Sequence, residues 1–358
     1  MARAYTAQES DLAAEGAETA ADRPGAVDGR PARGGRGPGA WRRDWRRDWR
    51  GPGAWRRGWV VAALALLLCG VLALHARVPN AVGNLGSLVE TFLPWAGLGV
   101  PLLGLCALLR RSLTALAALL LPAVVWFGMF GGLITDKTGD GGDLTVVTHN
   151  VDAGNPDPER TARDLAESGA DVLALEELPA RSTDLYRRTL AETHPFQAVE
   201  GTIGVFSKYP LRDTAPVDIK IGWTRALRTT VDAPRGEVAV FAAHLPSVRV
   251  KVAAGFTARE RDDAAEQLGQ AIAAEPLDRV VLLGDLNGTM NDRALAPVTA
   301  QMRSTQGAAG AGFGFSWPAS FPMTRIDQIM VRGVEPVSSW TLPATGSDHL
   351  PLAASLTL

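Results

Sequence analysis

Cysteine is nearly absent from this 358-residue chain, which has only two, Cys69 and Cys106. Both lie in apolar stretches well before the polar motifs described below. A disulfide framework needs several paired cysteines, and most structural zinc sites need thiolate ligands. The composition therefore argues against both classes of protein.

A strong net charge is also lacking, at −2 overall, but the sum conceals an uneven distribution. Residues 30–57 hold ten arginines against two aspartates, whereas residues 143–358 hold 20 lysines and arginines against 27 acidic residues, a net −7. An acidic domain repels polyanions unless bound cations correct its field. The charge pattern therefore makes nucleic acid the less favoured partner of residues 143–358.

Residues 1–57 have no sustained apolar period and are rich in Ala, Gly, Pro and Arg. Such a segment cannot bury enough surface to offset chain entropy, so we predict a disordered basic tail. Within it, GPGAWRR occurs at 37–43 and again at 51–57. The repeat has two interpretations: a solvated tail that orients the protein beside a membrane, or a contact with anionic lipid or nucleic acid.

Three apolar runs follow, at Trp59–Leu74, about Leu88–Leu109 and Leu113–Ile134. A transmembrane helix needs roughly 20 apolar residues, and about 17 are tolerated. We therefore predict three transmembrane helices within residues 58–135, with kinks at Pro101 and Pro122. The first run starts too late for a cleaved signal peptide. Buried helices of a soluble domain are the alternative.

The short loops beside these runs predict an orientation, because Lys and Arg accumulate on the cytoplasmic side. The tail carries the arginine cluster, the loop after the second run carries Arg110 and Arg111, and the loop after the first run has only Arg77. We therefore expect a multi-pass protein of the plasma membrane with a cytoplasmic N-terminus. After three spans, the C-terminal domain is extracytoplasmic.

A short polar linker, residues 136–142, leads into a domain of residues 143–358 in which apolar runs alternate with helical patterns. Predicted strands lie at 144–150, 171–178, 238–245, 279–287, 325–331 and 351–358. Predicted helices lie at 158–169, 181–193 and 256–275. The pattern indicates an α/β domain with one sheet, or two stacked sheets, covered by helices.

Polar groups end the first four predicted strands. They are His149 and Asn150, Glu176 and Glu177, His244, then Asp285 and Asn287; Asp327, Ser347, Asp348 and His349 follow in RIDQI and GSDH. Strand ends meet at one edge of an α/β sheet, so these side chains can converge. Carboxylates, amides and imidazoles without a thiol suit Mg²⁺ or Mn²⁺.

Each of these residues also has an ordinary structural explanation. Asn150 could form a turn, His244 could be a satisfied core histidine, and Asp327 could be a structural hydrogen-bond acceptor. Their joint occurrence at strand ends favours a functional site over independent structural roles.

Six motifs carry a resemblance that covers residues from about 143 to 358. They are THN at 148–150, DVLALEE at 171–177, AHL at 243–245, GDLN at 284–287, RID at 325–327 and SDH at 347–349. In this order they resemble the endonuclease/exonuclease/phosphatase superfamily. The resemblance implies a four-layer α/β/β/α sandwich of the DNase I-like kind, here preceded by three transmembrane helices.

The resemblance also implies a role for each matching residue. Glu177, Asn150 and Asp348 would hold a divalent cation, Mg²⁺ or Mn²⁺. Asp285 would orient the attacking water or take its proton, and Asn287 would position the phosphate. His349, polarised by Asp327, and His244 would donate hydrogen bonds to phosphoryl oxygens. The family usually has Gln where this chain has Glu176, so either Glu176 or Glu177 could be the ligand.

Several phosphoesters remain open as substrates. Three spans followed by an outward-facing domain resemble the VanJ-type teicoplanin-resistance membrane phosphatases, which implies a lipid-linked phosphate such as undecaprenyl pyrophosphate and a bilayer partner. A small anion pocket of Arg225, Arg228, Arg249 and Lys251 would suit a compact phosphate. An extracytoplasmic nuclease, another phosphoesterase and a non-catalytic membrane-tethered binding module are the alternatives.

Overall fold

Strands with alternating apolar side chains form two six-stranded sheets in the computed structural model, which describes Trp49 and residues 51–80, 84–247 and 258–358. The first sheet contains β1 (Leu144–Asn150), β2 (Val172–Glu176), β3 (Phe196–Glu200), β4 (Ile203–Ser207), β11 (Glu335–Thr341) and β12 (Leu352–Thr357). The second contains β5 (Leu211–Pro216), β6 (Ala226–Ala233), β7 (Gly236–His244), β8 (Val280–Asp285), β9 (Arg303–Ser304) and β10 (Asp327–Arg332).

The strand order is β11-β12-β1-β2-β4-β3 in the first sheet and β5-β6-β7-β8-β10-β9 in the second. β1 pairs with β2 in parallel, and so does β7 with β8. Both parallel pairs place their carboxyl ends at one edge of the sandwich, because parallel strands end on the same side.

Ten helices are described. Before the sandwich lie α1 (Pro52–Arg56), α2 (Trp59–Leu74), α3 (Leu85–Thr91), α4 (Gly99–Leu109) and α5 (Leu113–Ile134). Within it lie α6 (Pro158–Ala166), α7 (Ala180–Leu190), α8 (Ala258–Ala273), α9 (Ala296–Thr299) and α10 (Thr305–Ala309). Single 3₁₀ segments occupy His75–Arg77, Leu93–Leu98 and Arg293–Leu295.

The two sheets face each other across a core in which alternate strand residues point inward. Val146 of β1 and Leu283 of β8 belong to this inter-sheet core, whereas Val147 packs against helical Leu165 and Leu282 packs with Leu268. A strand period of two therefore gives each sheet one face toward the other sheet and one toward helices. The predicted four-layer α/β/β/α sandwich is confirmed.

The apolar region differs from the prediction of three continuous spans. Two helices are long and apolar enough to cross a membrane, Trp59–Arg77 and Leu113–Ile134, and α5 continues through Pro122. The middle run is broken: Leu85–Thr91 and Leu93–Leu109 meet at 70°. The count is thus two spans, or three if the broken pair is one span.

The break lies at Phe92 and Pro94, not at the predicted Pro101. Pro94 is the second residue of the 3₁₀ segment, and its ring removes a backbone donor that a continuous helix would use. Pro101 is the third residue of α4, where a helix tolerates proline. Residues 93–109 still number 17, the lower limit for a membrane span.

α3 is packed against the sandwich through polar contacts. The Ser87 hydroxyl accepts a hydrogen bond from Arg261 Nη2 at 3.2 Å, and the Glu90 carbonyl accepts one from Thr289 Oγ1 at 3.2 Å. Arg293 Nη1 donates to the Val78 carbonyl at 2.7 Å, just before α3. These bonds fix one side of the apolar region beside the ends of β7 and β8.

Of the predicted disordered tail, residues 1–48 and Arg50 lie outside the described residues. Pro52–Arg56, which the prediction included in that tail, form the one-turn helix α1.

Candidate active site

The register of the second sheet brings three predicted site residues to one place. β10 pairs Asp327 with Asp285, and β7 pairs His244 with Asp285. Gly284 is required just before, because a Cβ there would lie 1.9 Å from the Ala243 carbonyl oxygen. The glycine of GDLN therefore lets β8 approach β7 closely, and Asp285 follows at the strand end.

Two amides hold the Asp285 carboxylate. Asn150 Nδ2 donates to Asp285 Oδ2 at 3.1 Å, and Asn287 Nδ2 donates to the same oxygen at 3.2 Å. Asn287 adopts a left-handed backbone, φ 48°, which lets its own N–H donate to Asp285 Oδ1 at 2.9 Å. Burial and then the charge of Asp327 raise the pKa of Asp285 to about 7, although these hydrogen bonds oppose the shift.

His349 and Asp327 form a buried pair. His349 Nδ1 lies 2.9 Å from Asp327 Oδ2 and 3.1 Å from Oδ1. Burial opposes protonation of His349, but the charges of Asp327 and Asp285 prevail and raise its pKa to about 10. Ser316 Oγ donates to Asp327 Oδ2 at 2.5 Å and fixes the carboxylate from the other side. His349 is therefore cationic at neutral pH.

His244 differs from His349 in charge. Its Nε2 lies 3.6 Å from both Glu177 Oε1 and Asp285 Oδ2, and its ring also contacts Arg225. Burial, followed by the positive charge of Arg225, holds its pKa well below the ordinary value. A neutral His244 can still donate one hydrogen bond, and its surroundings disfavour the imidazolium form.

The geometry distinguishes the two adjacent glutamates. Glu177 has a left-handed backbone, φ 56°, and lines the cavity, where its Oε2 accepts from Ala153 N–H at 3.2 Å. Glu176 is fully buried and accepts from Thr148 Oγ1 at 2.8 Å. Burial raises the pKa of Glu176 well above its ordinary value, which favours the neutral acid, a poorer ligand than a carboxylate. The arrangement favours Glu177.

Asp348 faces the cavity from the loop before β12. Its side chain is 60% exposed, its Oδ2 accepts from Trp317 Nε1 at 3.2 Å, and its Oδ1 lies 3.9 Å from His349 Nε2. Asn150 Oδ1 accepts from the Asp152 N–H at 3.0 Å and keeps a second lone pair. Glu177, Asn150 and Asp348 thus present hard oxygen donors to one cavity, which fits Mg²⁺ or Mn²⁺.

Within the part of the chain that the structure describes, one cluster of three His, Cys, Asp or Glu side chains brings its ligand atoms within 4.8 Å, namely Asp285, Asp327 and His349. Asp327 is poorly placed to serve as a ligand there, because His349 and Ser316 already bind its oxygens. The cluster is therefore a hydrogen-bonded group at the edge of the cavity rather than a complete cation site.

These side chains surround a cavity of about 540 Å³ whose other wall was not predicted. That wall consists of Ser87, Leu88 and Thr91 from α3, and of Phe92 from the break between α3 and the 3₁₀ segment, which we call the bend (Phe92–Pro94). The signal was present in the sequence, because Ser87, Glu90 and Thr91 place polar groups on one side of an apolar helix. Sequence reasoning also missed Ser316 and Trp317, which lie in a loop far from the residues they hold.

The predicted anion pocket is not assembled as expected. Arg225 contacts His244 and lies with its guanidinium 5.5 Å from the Trp223 ring centroid. Arg228 instead forms a bidentate pair with Glu275, at 2.8 Å for each contact, and does not line the cavity. Arg249 and Lys251 lie outside the described residues.

A two-sheet sandwich with carboxylates, amides and a carboxylate-bound histidine at one edge defines the class of α/β/β/α hydrolases. Residues 147–349 match the Endonuclease/Exonuclease/phosphatase family. This match covers more than half of the chain, and the protein therefore belongs to that family and is a phosphoester hydrolase. Comparison with curated protein sequences found no matching relative.

Two solved structures of D. rerio TDP2 support the fold, and a third structure, a sphingomyelinase, is similar. D. rerio TDP2 complexed with single-strand DNA product is 17% identical, with a TM-score of 0.51, over 60% of this chain and 99% of that one. Humanized D. rerio TDP2 is 19% identical, with a TM-score of 0.50 and the same coverage. Sphingomyelinase C from Streptomyces griseocarneus is 22% identical, with a TM-score of 0.46, over 59% of this chain and 98% of that one.

Proposed function

We propose that this protein is a membrane-anchored, Mg²⁺-dependent hydrolase of lipid-linked phosphates, such as undecaprenyl pyrophosphate, with its catalytic domain outside the cell. One observation carries the proposal: a wall of the active-site cavity comes from α3 and the bend, the segment that leads directly into α4. A substrate carried by the bilayer would reach the carboxylates along a surface that is continuous with the apolar helices.

The surfaces of these helices support a bilayer location. Large apolar side chains are exposed on each of them, including Leu67 of α2, Leu102 and Leu109 of α4, and Val124 and Phe127 of α5. A contiguous apolar surface of this kind is costly in water and favourable in lipid. Tethering at that surface raises the effective concentration of the site toward lipid substrates.

Each charged group of the site has a different role in the proposed reaction. Asp285, with a pKa near 7, is suited to orient a water molecule and take its proton at neutral pH. Cationic His349 is suited to stabilise negative charge that develops on the phosphoryl oxygens. A divalent cation bound by Glu177, Asn150 and Asp348 would supply further charge neutralisation.

Two amide or imidazole groups complete the site. Asn287 Nδ2 points between Asp285 Oδ2, at 3.2 Å, and the Leu245 carbonyl, at 3.0 Å, which places it beside the base. Neutral His244 can donate one hydrogen bond to a phosphoryl oxygen from the other side. Because both Nδ2 hydrogens of Asn287 are used in these bonds, Asn287 positions Asp285. His244 and His349 are the donors that position the phosphate. Such positioning is the larger part of catalysis in phosphoryl transfer.

The test is substrate selection by the full chain in detergent with Mg²⁺. Phosphate release from prenyl pyrophosphate, nicking of plasmid DNA and headgroup release from a choline phospholipid are compared for wild type, Asp285→Ala and Asp164→Ala. Asp164 is an exposed aspartate of α6 that pairs with Arg160 at 3.7 Å and serves as the matched control.

We expect prenyl pyrophosphate to be the preferred substrate, with turnover abolished by Asp285→Ala and unchanged by Asp164→Ala. Preference for plasmid DNA would replace the lipid proposal by the nuclease alternative. Turnover of no substrate by wild type would favour the non-catalytic binding module, whereas equal turnover by Asp285→Ala and wild type would contradict the catalytic role of Asp285.

A further inference from the structure

A second cavity, of about 210 Å³, lies between the last turns of α5 and the sandwich. We call it the junction cavity. Most of its lining is apolar: Met129, Phe130 and Leu133 from α5, Pro94 from the bend, and Phe313 and Phe315 from the loop before β10. Thr91 lines both this cavity and the active-site cavity, so the two are neighbours with a shared wall.

The junction cavity contains one buried cation, Arg325. Its side chain is 7% exposed, and its Nη1 donates to Gln306 Oε1 at 3.2 Å and to the Gly314 carbonyl at 3.1 Å. Among the described residues, its Nε and Nη2 have no hydrogen-bond partner. These two nitrogens form one edge of the planar guanidinium, the edge that binds a phosphate or carboxylate with two parallel hydrogen bonds.

In the described part of the chain, no protein group forms a hydrogen bond with this edge. Burial lowers the pKa of Arg325 to about 10, which still leaves it charged at neutral pH. Asp327 is the nearby carboxylate, but its oxygens are bound by His349 and Ser316. A buried charge with unmade hydrogen bonds is costly, so an anion that meets Nε and Nη2 is strongly favoured at this place.

Two tryptophans beside the junction cavity indicate the depth at which it would lie in a bilayer. Trp126 Nε1 donates to the Pro94 carbonyl at 2.8 Å, and Trp95 Nε1 donates to the Met323 carbonyl at 2.7 Å. Trp95 is 36% exposed and stacks on Phe315. Tryptophan is enriched where lipid headgroups meet acyl chains, and α5 ends here. An anionic group at Arg325 with a chain directed along α5 fits that boundary.

We propose that the junction cavity binds an anionic lipid, with its phosphate paired to Nε and Nη2 of Arg325 and the start of its chain among Met129, Phe130 and Leu133. A volume of about 210 Å³ holds about seven groups of the size of water, enough for a phosphate and the first carbons. The remaining chain lies along α5 toward the bilayer. This site is separate from the catalytic one, and it does not depend on which phosphoester is hydrolysed.

The experiment uses the full chain in neutral detergent, with a chelator present to suppress turnover. The probe is a photoactivatable alkyl phosphate with a diazirine near the phosphate, and the labelled positions are mapped by peptide mass spectrometry. Labelling by the corresponding neutral alcohol is measured in parallel. Unlabelled phosphatidylglycerol and inorganic phosphate are the two competitors, so that a lipid site and a free-anion site are distinguished.

We expect labels on residues 129–133 or 313–315, competition by phosphatidylglycerol, and little competition by inorganic phosphate. Arg325→Met should reduce this labelling about tenfold or more, as expected for loss of a charge-assisted bidentate pair. Arg303→Met is the matched control, because Arg303 is an exposed arginine paired with Glu335 at 2.9 Å outside the cavity. It should leave the labelling unchanged.

Leu133→Trp gives an independent test that keeps Arg325 and fills the apolar side of the cavity. It should also reduce labelling at residues 313–315, whether or not Arg325→Met folds. Equal labelling by the neutral alcohol, full competition by inorganic phosphate, or undiminished labelling of Leu133→Trp would each overturn the proposal.

Discussion

The two adjacent glutamates show how one residue can differ from its neighbour in chemistry. Glu176 ends β2 with its side chain in the interior, and Glu177 turns into the cavity because its backbone adopts a left-handed conformation. One of them is kept neutral by burial and the other is available as a ligand. The sequence alone left this choice open, because nothing in EE identifies the residue at which the strand ends.

Neutral amide replacements separate these two roles. Glu177→Gln removes the charge that would hold the cation, and we expect kcat/KM to fall about 100-fold with weaker Mg²⁺ binding. Glu176→Gln preserves the acceptor for Thr148 and replaces a buried acid whose raised pKa favours the neutral form, so activity should change little. Steady-state kinetics across Mg²⁺ concentrations and calorimetric Mg²⁺ binding measure both. Equal losses in the two variants would contradict the assignment.

The His349–Asp327 pair has a defined pH dependence. Because the folded-state pKa of His349, about 10, is above its ordinary value of 6.5, the folded state binds the proton more tightly. The stabilising contribution is complete below pH 6.5 and is lost as the pH rises through about 10. We expect the imidazole NMR signal of His349 in metal-free protein to titrate near pH 10.

Asp327→Asn should move that titration strongly downward, since burial then acts with much less opposition. His194 is the internal control: its ring is buried next to the Ala170 carbonyl at 3.1 Å, and burial lowers its pKa independently of Asp327. A titration of His349 near its ordinary value in wild type would contradict the pair.

Site residues at strand ends were accessible to sequence reasoning, whereas their supports were not. Asp285 and Asn287 end the same apolar run of the sequence, and in the structure they are in hydrogen-bond contact. Ser316 binds Asp327 from a loop eleven residues earlier, in a segment without regular structure. Such a contact depends on the loop path, which no periodicity records.

At the scale of elements, α3 changes the character of the active site. Its Ser87 side meets Arg261 of α8, a fully buried arginine that also donates to the Asn287 carbonyl at 2.9 Å. Arg261 therefore links α3 to the loop after β8, which carries Asn287. The position of the cavity wall and the position of Asn287 are mechanically connected.

The wall predicts a selective effect on lipid substrates. Phe92→Ala removes an apolar surface beside the cavity mouth while leaving all charged groups in place. We expect KM for prenyl pyrophosphate to rise about tenfold, because a buried aromatic side chain contributes about 1.5–3 kcal/mol. Turnover of a small water-soluble phosphodiester should be unchanged. Phe196→Ala, a partly exposed phenylalanine of β3 away from the cavity, is the control.

A rise in KM for both substrates would show that Phe92 supports the fold of the site rather than the binding of lipid. If Phe92→Ala and Phe196→Ala had the same KM for prenyl pyrophosphate, the wall formed by α3 would not contribute to substrate binding.

The element pattern explains what the sequence could supply. Six buried strands were predicted close to their observed bounds, because continuous apolar runs are typical of strands covered on both faces. The other six strands, β3 to β6, β9 and β11, were not predicted. Two of them, β5 and β11, are largely exposed or mixed in burial and carry prolines, which weakens a strand pattern. The bend at Pro94 was missed because an unbroken apolar run looks like one span.

For the whole molecule, sidedness is the property with the largest functional consequence. With three spans, the arginine-rich tail and the sandwich lie on opposite sides of the membrane; with two, they lie on the same side. Residues 93–109 decide between these arrangements, because they are the segment of limiting length.

We expect the sandwich to be outside. Protease added to intact spheroplasts should degrade residues 143–358, detected with a C-terminal epitope, while an N-terminal epitope stays protected until lysis. A cytoplasmic enzyme serves as the control for intact cells. Cleavage of the C-terminal epitope only after lysis would contradict the three-span orientation.

Arg261, Thr289 and Arg293 hold the loop after β8 against α3 and the residue Val78 before it. A shortened protein that starts at the linker would therefore have an open trough in place of a closed binding cleft. Inhibitor screens on such a fragment would select compounds that occupy the space normally filled by α3 and the bend. Compounds found with the intact chain would instead compete with the substrate for the closed cleft, and those should retain their potency in living cells.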